Sequence, residues 1–300
     1  MKESFLNDQF FSRLETLSLN LRSNLAGYFG GQHLVTTYGQ TVEFADFREY
    51  QLGDDIRRID WNLYSRFEKY FLKLFTDERQ MQVQIFLDCS ASMGKDNPRK
   101  AAYSVATAAT LGFLSVGNMD KVNFYFMKGD HAEDPFGTIV GKNAYFRAVG
   151  ELEKLEFEEE TDIGKCITGC TNTGMNNGLT VIISDFFTDS DWKRAVDYLC
   201  YKKRQVLLLQ ILTPDELEPL YDGRYNLIDA ESVSLEDSKN LMRMRITRGM
   251  QKAYAEALKD FREDIRSFCS KRGVDYIMVN TEHPIEKVLF EELLKAGIME

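Results

Sequence analysis

Four apolar runs constrain this chain more than any other feature: "VQIFLD" (83–88), "LTVIISDF" (179–186), "QVLLLQIL" (205–212) and "VDYIMVN" (274–280). Each reads as a buried strand, and the segments between them carry apolar residues at helical spacing. Asn97 stands before Pro98, a favoured cap followed by a favoured first helical residue. The helix they open sets Ala102, Val105, Ala106, Ala109, Phe113 and Val116 on one face. A further strand is expected at Lys121–Met127, and helices at Lys142–Leu155, Ile163–Thr173, Ser190–Tyr201, 248–271 and 284–296. Strand alternating with helix over so much of a chain implies an α/β fold, a mostly parallel sheet covered by helices on both faces.

The first eighty residues have a different texture. Phe10, Leu14, Leu17, Leu21 and Leu25 form one stripe, predicting an amphipathic helix that stops near Gly27 and Gly30-Gly31. From His33 to Gln82 the chain is rich in Thr, Val, Phe and Tyr with turn residues between, as in short strands, ending in a longer strand at Lys69–Thr76. The expected organisation is an N-terminal helix (1–30), a small β-rich inserted unit (31–80) and an α/β domain (81–300). Residues 213–247 are irregular and predict a hairpin pairing "YNLIDAES" with "LMRMRIT".

A net charge of −10 works against binding to nucleic acid or anionic lipid, and no local basic patch offsets it. The richest basic stretch, Arg48 to Arg79, is interleaved with Asp54, Asp55, Asp60, Glu68, Asp77 and Glu78. No apolar run is long enough to span a membrane, and the N-terminal residues lack the apolar core of a leader. Five scattered cysteines predict reduced thiols and a cytoplasmic location. Cys166 and Cys170 have no His or second Cys pair nearby in sequence, which favours packing over zinc.

Two of the strands stop abruptly at a carboxylate, Asp88 in "IFLD" and Asp185 in "VIISD". In an open α/β sheet, ligands gather beyond the carboxyl ends of the strands. Along an extended chain Asp88, Ser90 and Ser92 project to one side and gather oxygen atoms. Thr161, in "ETDIGKCI", stands in a loop just before a helix. A nucleophilic serine needs a base, and His33, His131 and His283 are not in strand-end loops. No G-x-S-x-G elbow or phosphate loop is present. A hard cation such as Mg²⁺, with Mn²⁺ or Ca²⁺ as alternatives, suits an oxygen set containing one or two carboxylates. The competing explanation for Asp88 and its serines is a turn or helix cap.

Asp88-x-Ser90-x-Ser92, Thr161 and Asp185 together resemble the metal-ion-dependent adhesion site of von Willebrand factor A domains. The stretch with Gly39, Glu43, Phe44, Arg48, Tyr50, Gly53, Asp54, Asp55, Arg57, Ile59, Asp60, Trp61 and Arg66 narrows the likeness. It resembles the signature of MoxR-associated proteins, the domain of unknown function 58 family, and the likeness covers roughly residues 30–280. Gln40-Thr41 depart from that pattern, and the membrane helices many relatives carry ahead of it are missing from these residues.

The resemblance implies a von Willebrand A-like, Rossmann-like fold with Mg²⁺ held at Asp88, Ser90, Ser92, Thr161 and Asp185. It implies a non-enzymatic binding module that grips an acidic residue of a client and works with a MoxR-type AAA+ ATPase. Arg48, Asp54, Asp55, Arg57, Asp60, Trp61 and Arg66 are candidate partner-binding residues. The alternatives for them are a salt-bridge lattice and, for Trp61, a place in the core. A metal-dependent hydrolase of phosphatase or phosphodiesterase type is the alternative function; the lack of a placed histidine, catalytic lysine or further carboxylate argues against it.

Overall fold

Every residue from Val83 to Asp88, and from Gly178 to Ser184, is buried. Strands covered on both faces belong at the centre of a parallel sheet, and that is where these two lie. The computed structural model describes residues 6–21, 42–51, 54, 56–77, 81–95, 97–158, 160–170, 178–219, 223–228, 241–285 and 288. The chain divides into two compact units, Ala26–Gln80 and the remainder.

In the smaller unit β1 (Val42–Glu49) pairs antiparallel with β2 (Phe71–Asp77), with a bulge between Phe44 and Asp46. The residues joining them form a 3-10 turn at Ile56–Arg58 and a helix, α2 (Trp61–Phe67), where only strand and turn were expected. Asp60 nucleates that helix by accepting the Asn62 and Leu63 N–H groups at 2.9 and 3.4 Å.

The larger unit is built on six strands: β3 (Gln82–Asp88), β4 (Lys121–Lys128), β5 (His131–Glu133), β6 (Gly178–Ser184), β7 (Gln205–Leu212) and β10 (Asp275–Asn280). Their spatial order is β10-β7-β6-β3-β4-β5. All neighbours run parallel except β5, a three-residue antiparallel strand at one edge that the sequence pattern did not announce. Counted within the sheet alone, this is the Rossmann-type order, in which the chain reverses direction across the sheet between β3 and β6. The fold is therefore the expected α/β class, a Rossmann-like and mostly parallel sheet covered by helices on both faces. The expected hairpin forms as β8 (Gly223–Ile228) against β9 (Leu241–Ile246).

Alternation along the strands supplies both faces. Phe124 of β4 packs on α4 (Pro98–Gly117), opened by Asn97 as the sequence predicted, while its neighbour Tyr125 turns to the other side. There, with Phe86, Ile182 and Leu208, it meets α6 (Ile163–Gly169), α7 (Trp192–Tyr201) and α9 (Arg248–Ser270). Helix α4 is buried almost throughout. Its Thr107, Thr110 and Ser115 hydroxyls donate to carbonyls four residues back, each at 2.8 Å, so they are not left unsatisfied. Helix α1 (Asp8–Leu21) docks by Phe11 and Leu14, with Phe11 against Phe113 and against Phe146 of α5 (Lys142–Leu152). Phe10, expected on the apolar stripe, is only half-buried. Among the described residues no helix is long and apolar enough to cross a membrane. The helix expected at 284–296 lies almost entirely outside the described residues.

A Cβ at Gly112 would lie 2.6 Å from the Phe124 ring and 3.0 Å from the Tyr145 ring. Gly112→Val is expected to lower unfolding free energy in urea by about 1–3 kcal/mol. Gly117→Ala, with open space around it, is neutral or slightly stabilising. Asp120, at the amino end of β4, accepts the Met81 N–H, but burial pushes its carboxyl up to about 6. An acid raised in this way weighs nothing against the fold below about pH 4; its penalty grows as pH rises from about 4 to 6 and is constant above that. Asp120→Asn should therefore raise the melting temperature at pH 8, by about 1–2 kcal/mol in stability after solvent screening, and leave it unchanged at pH 4.

Candidate functional site

Asp88 and Asp185 flank the point where the sheet reverses. Asp88 ends β3, and Asp185 follows Ser184, the last residue of β6, which runs alongside. The Asp88 carboxylate is held from two directions. Its Oδ1 accepts the Ser90 N–H at 2.9 Å and its Oδ2 accepts the Ser184 hydroxyl at 2.6 Å. Asp185 accepts the Phe187 N–H through Oδ1 at 2.9 Å, and its carbonyl is fixed by the Gln210 side chain at 2.8 Å. Between them Phe186 adopts φ 60°, a left-handed conformation that costs a residue with a Cβ about 1–2 kcal/mol. Strain of this kind persists where the surrounding structure enforces it. Here the Phe186 N–H donates to Ser184 Oγ and its ring packs on Trp192.

The serines converge, though not for the reason their spacing suggested. Ser90 is the cap of a one-turn helix, α3 (Ala91–Gly94), so the chain is no longer extended at Ser92. The helical turn itself brings the two hydroxyls to 3.1 Å. Thr161 arrives from a separate loop. It bridges to Gly129, and its hydroxyl donates to the Met127 carbonyl at 3.4 Å, the same carbonyl that accepts the Cys89 N–H. Thr188, three residues past Asp185, donates to the Thr161 carbonyl at 3.3 Å. Three loops at the carboxyl ends of the strands are thus tied together. Asp88, Ser90, Thr161 and Asp185 are all buried, and Ser92 is half-buried.

Sequence reasoning missed the group that dominates the electrostatics. Lys100, in the first turn of α4, is fully buried. Its ammonium donates to Asp185 Oδ2 at 2.8 Å, to Glu216 Oε1 at 2.7 Å and to the Ser92 carbonyl at 3.2 Å. All three of its N–H bonds are spent. Burial alone would lower the lysine's pKa, but the charges of Asp185 and Glu216 outweigh it and the net shift is upward. Glu216 belongs to α8 (Pro214–Leu217), where it forms a capping box with Thr213, and its carbonyl accepts the Tyr254 hydroxyl of α9 at 2.7 Å. A signal was present in the sequence: a cation in a helix's first turn opposes the helix dipole. Burial, then the charge of Asp185, pushes the Asp88 carboxyl up to about 6, against the pull of the Ser184 and Ser90 hydrogen bonds.

The donor set suits a hard divalent cation in chemistry, since it offers only oxygen and two carboxylates that repel one another. Among the described residues no group of three or more His, Cys, Asp or Glu side chains is placed to hold a metal. An ion here would depend on the hydroxyls as well as the acids. Cys166 is buried, donating its thiol to the Gly129 and His131 carbonyls, and Cys170 is half-buried.

The candidate partner-binding residues belong to the smaller unit. Arg48 pairs with Asp54 at 2.8 Å, and Asp54 also accepts the Gln51 N–H. Asp60 is buried as the α2 cap, while Arg57 and Arg66 are exposed. Asp55 lies outside the described residues. Trp61 is 61% exposed at the start of α2, which goes against the alternative of a place in the core. Its neighbours are Tyr64 and Tyr70, at 6.1 and 6.4 Å between ring centres.

Comparison with known proteins places these features in a family. Residues 46–260 match the family described as "Protein of unknown function DUF58". An uncharacterized protein of Mycobacterium tuberculosis is 28% identical over 224 residues, spanning 73% of this chain and 70% of that protein. Among solved structures, the conserved hypothetical protein BatB from Bacteroides thetaiotaomicron is 18% identical, with a TM-score of 0.43 over 73% of this chain and 100% of its own. A von Willebrand factor type A structure from Catenulispora acidiphila is 13% identical, with a TM-score of 0.34 over 58% and 42% of the two chains. With well over half of its length inside the family match, the chain is a member of the DUF58 family.

Proposed function

We propose that this protein is a non-enzymatic, Mg²⁺-dependent protein-binding module whose ligands are Asp88, Ser90, Ser92, Thr161 and Asp185. The observation that carries the reading is the pair of buried acids, Asp88 and Asp185, on neighbouring strands at the reversal point of the sheet. Two carboxylates in mutual repulsion, with a 3.1 Å pair of hydroxyls beside one of them, form a site whose natural complement is a small dication. When bound, Mg²⁺ would offer an open coordination position to an acidic side chain of a partner. The chain's own residues do the rest. Ser184 and the Ser90 N–H orient Asp88, Phe187 orients Asp185, and Thr188 fixes the Thr161 loop.

Lys100 favours binding over turnover, because an ammonium with all three hydrogens committed between two acids has no lone pair to act as a base. The partner we assign is a MoxR-type AAA+ ATPase acting with this module on a client protein in the cytoplasm. The exposed Arg57, Trp61 and Arg66 of the smaller unit are the surface we assign to that contact, and Arg48, Asp54 and Asp60 shape it.

Mg²⁺ is expected to raise the melting temperature of the full chain, and Asp88→Ala to remove that response while the protein remains folded. The same variant should lose Mg²⁺-dependent capture of the ATPase in a pull-down. Hydrolysis of phosphomonoester or phosphodiester substrates that requires both Mg²⁺ and Asp88 would overturn the reading. A separate measurement tests the docking surface: Trp61→Ala should weaken capture by about 1 kcal/mol or more, as for an exposed aromatic anchor, without altering the Mg²⁺ response.

A further inference from the structure

We propose that Lys100 is a built-in competitor for the divalent cation: its ammonium holds Asp185 in the ion-free protein and is left on Glu216 and the Ser92 carbonyl when a cation takes that carboxylate. The inference rests on the reading of Asp88, Ser90, Ser92, Thr161 and Asp185 as ligands, and it concerns what sets their affinity.

Three observations lead to it. Lys100 spends two of its three hydrogen bonds on the proposed ligand set, one on Asp185 Oδ2 and one on the carbonyl of Ser92. It therefore stands where an arriving cation must draw on the same Asp185 carboxylate. Its third bond, to Glu216 Oε1, is independent of that set. Glu216 is held in place without help from Lys100, by the Thr213 capping box through Oε2 and the Tyr254 hydroxyl at its carbonyl. The ammonium consequently has a second position that is already built. Finally, the charges leave room for exchange: Asp88, Asp185 and Glu216 set three acids against one ammonium. The surplus of two negative charges matches a dication, so the lysine need not leave the site entirely.

A lysine in this role raises the cation concentration at which the module switches on. It also keeps Asp185 paired in the absence of the ion, when an uncompensated buried carboxylate would be costly. Because Glu216 is tied to α9 through Tyr254, the exchange places a different load on α8 in the two states.

Calorimetric titration of Mg²⁺ into the full chain tests the proposal. Lys100→Met should bind about tenfold more tightly or better, the effect of removing a unit charge at hydrogen-bonding distance. Glu216→Gln should bind more weakly, because the ammonium loses its second position and clings to Asp185. If Lys100→Met fails to fold, the double variant Lys100→Met/Glu216→Gln removes one of the stranded acids as well. It should bind Mg²⁺ about tenfold more tightly than Glu216→Gln alone. Wild-type binding with an unchanged or weaker Lys100→Met overturns the competitor role while leaving the ligand set standing. Silence from every variant, at millimolar Mg²⁺ and with Mn²⁺ alike, overturns the ligand set and the competitor together.

Discussion

A carboxylate taken from water into a protein interior costs several kcal/mol even after the surroundings relax. This fold places two of them on neighbouring strands, Asp88 and Asp185, and much of the local structure exists to make that tolerable. Asp88 is supported by neutral donors, a backbone N–H and the Ser184 hydroxyl, and its proton affinity remains raised. Asp185 is supported by a full charge. Lys100 reaches it from α4, and Glu216 reaches Lys100 from α8, so two helices and a strand end are fixed by one ammonium. Both acids stand where the strand order reverses, and the ion pair offsets the charge of one of them.

The strands and the two acids were legible in the sequence because each left a one-dimensional trace. Continuous apolar runs ending at Asp88 and Asp185 identify central strands and their carboxyl ends without any knowledge of pairing. Asn97-Pro98 marked the start of α4 for the same reason, since capping is a local matter. Lys100 and Glu216 are 116 residues apart and left no such trace. A lysine two residues past a helix's first proline looks like a surface residue unless its clash with the helix dipole is taken as a question. The strand β5 was hidden by its length, and α2 by a composition of Trp, Tyr and Phe that suits strands equally well.

The smaller unit shows how a motif can be dense in chemistry and still be local in structure. Asp60 is conspicuous as a carboxylate before a tryptophan, yet its oxygen is used by the first turn of α2. Arg48 and Asp54 close a loop on themselves. What the unit offers to its surroundings is aromatic: Trp61, Phe67 and Tyr70 all stand exposed, with Tyr64 stacked on Tyr70 at 4.7 Å. Ring faces and edges held rigid by one another lose little freedom on contact, which suits them to recognition.

The sheet's outer border carries its own consequence. Beyond β4 the chain turns back for only three residues, and that short strand is dressed with charge: Lys128 pairs with Glu133, and His131 lies within 4 Å of both Asp130 and Glu133. An unpaired ribbon of backbone would otherwise invite a second molecule to extend the sheet. So brief and hydrophilic a hem gives an intruding polypeptide almost nothing to zip onto, and it lies directly beside the loop that carries Thr161.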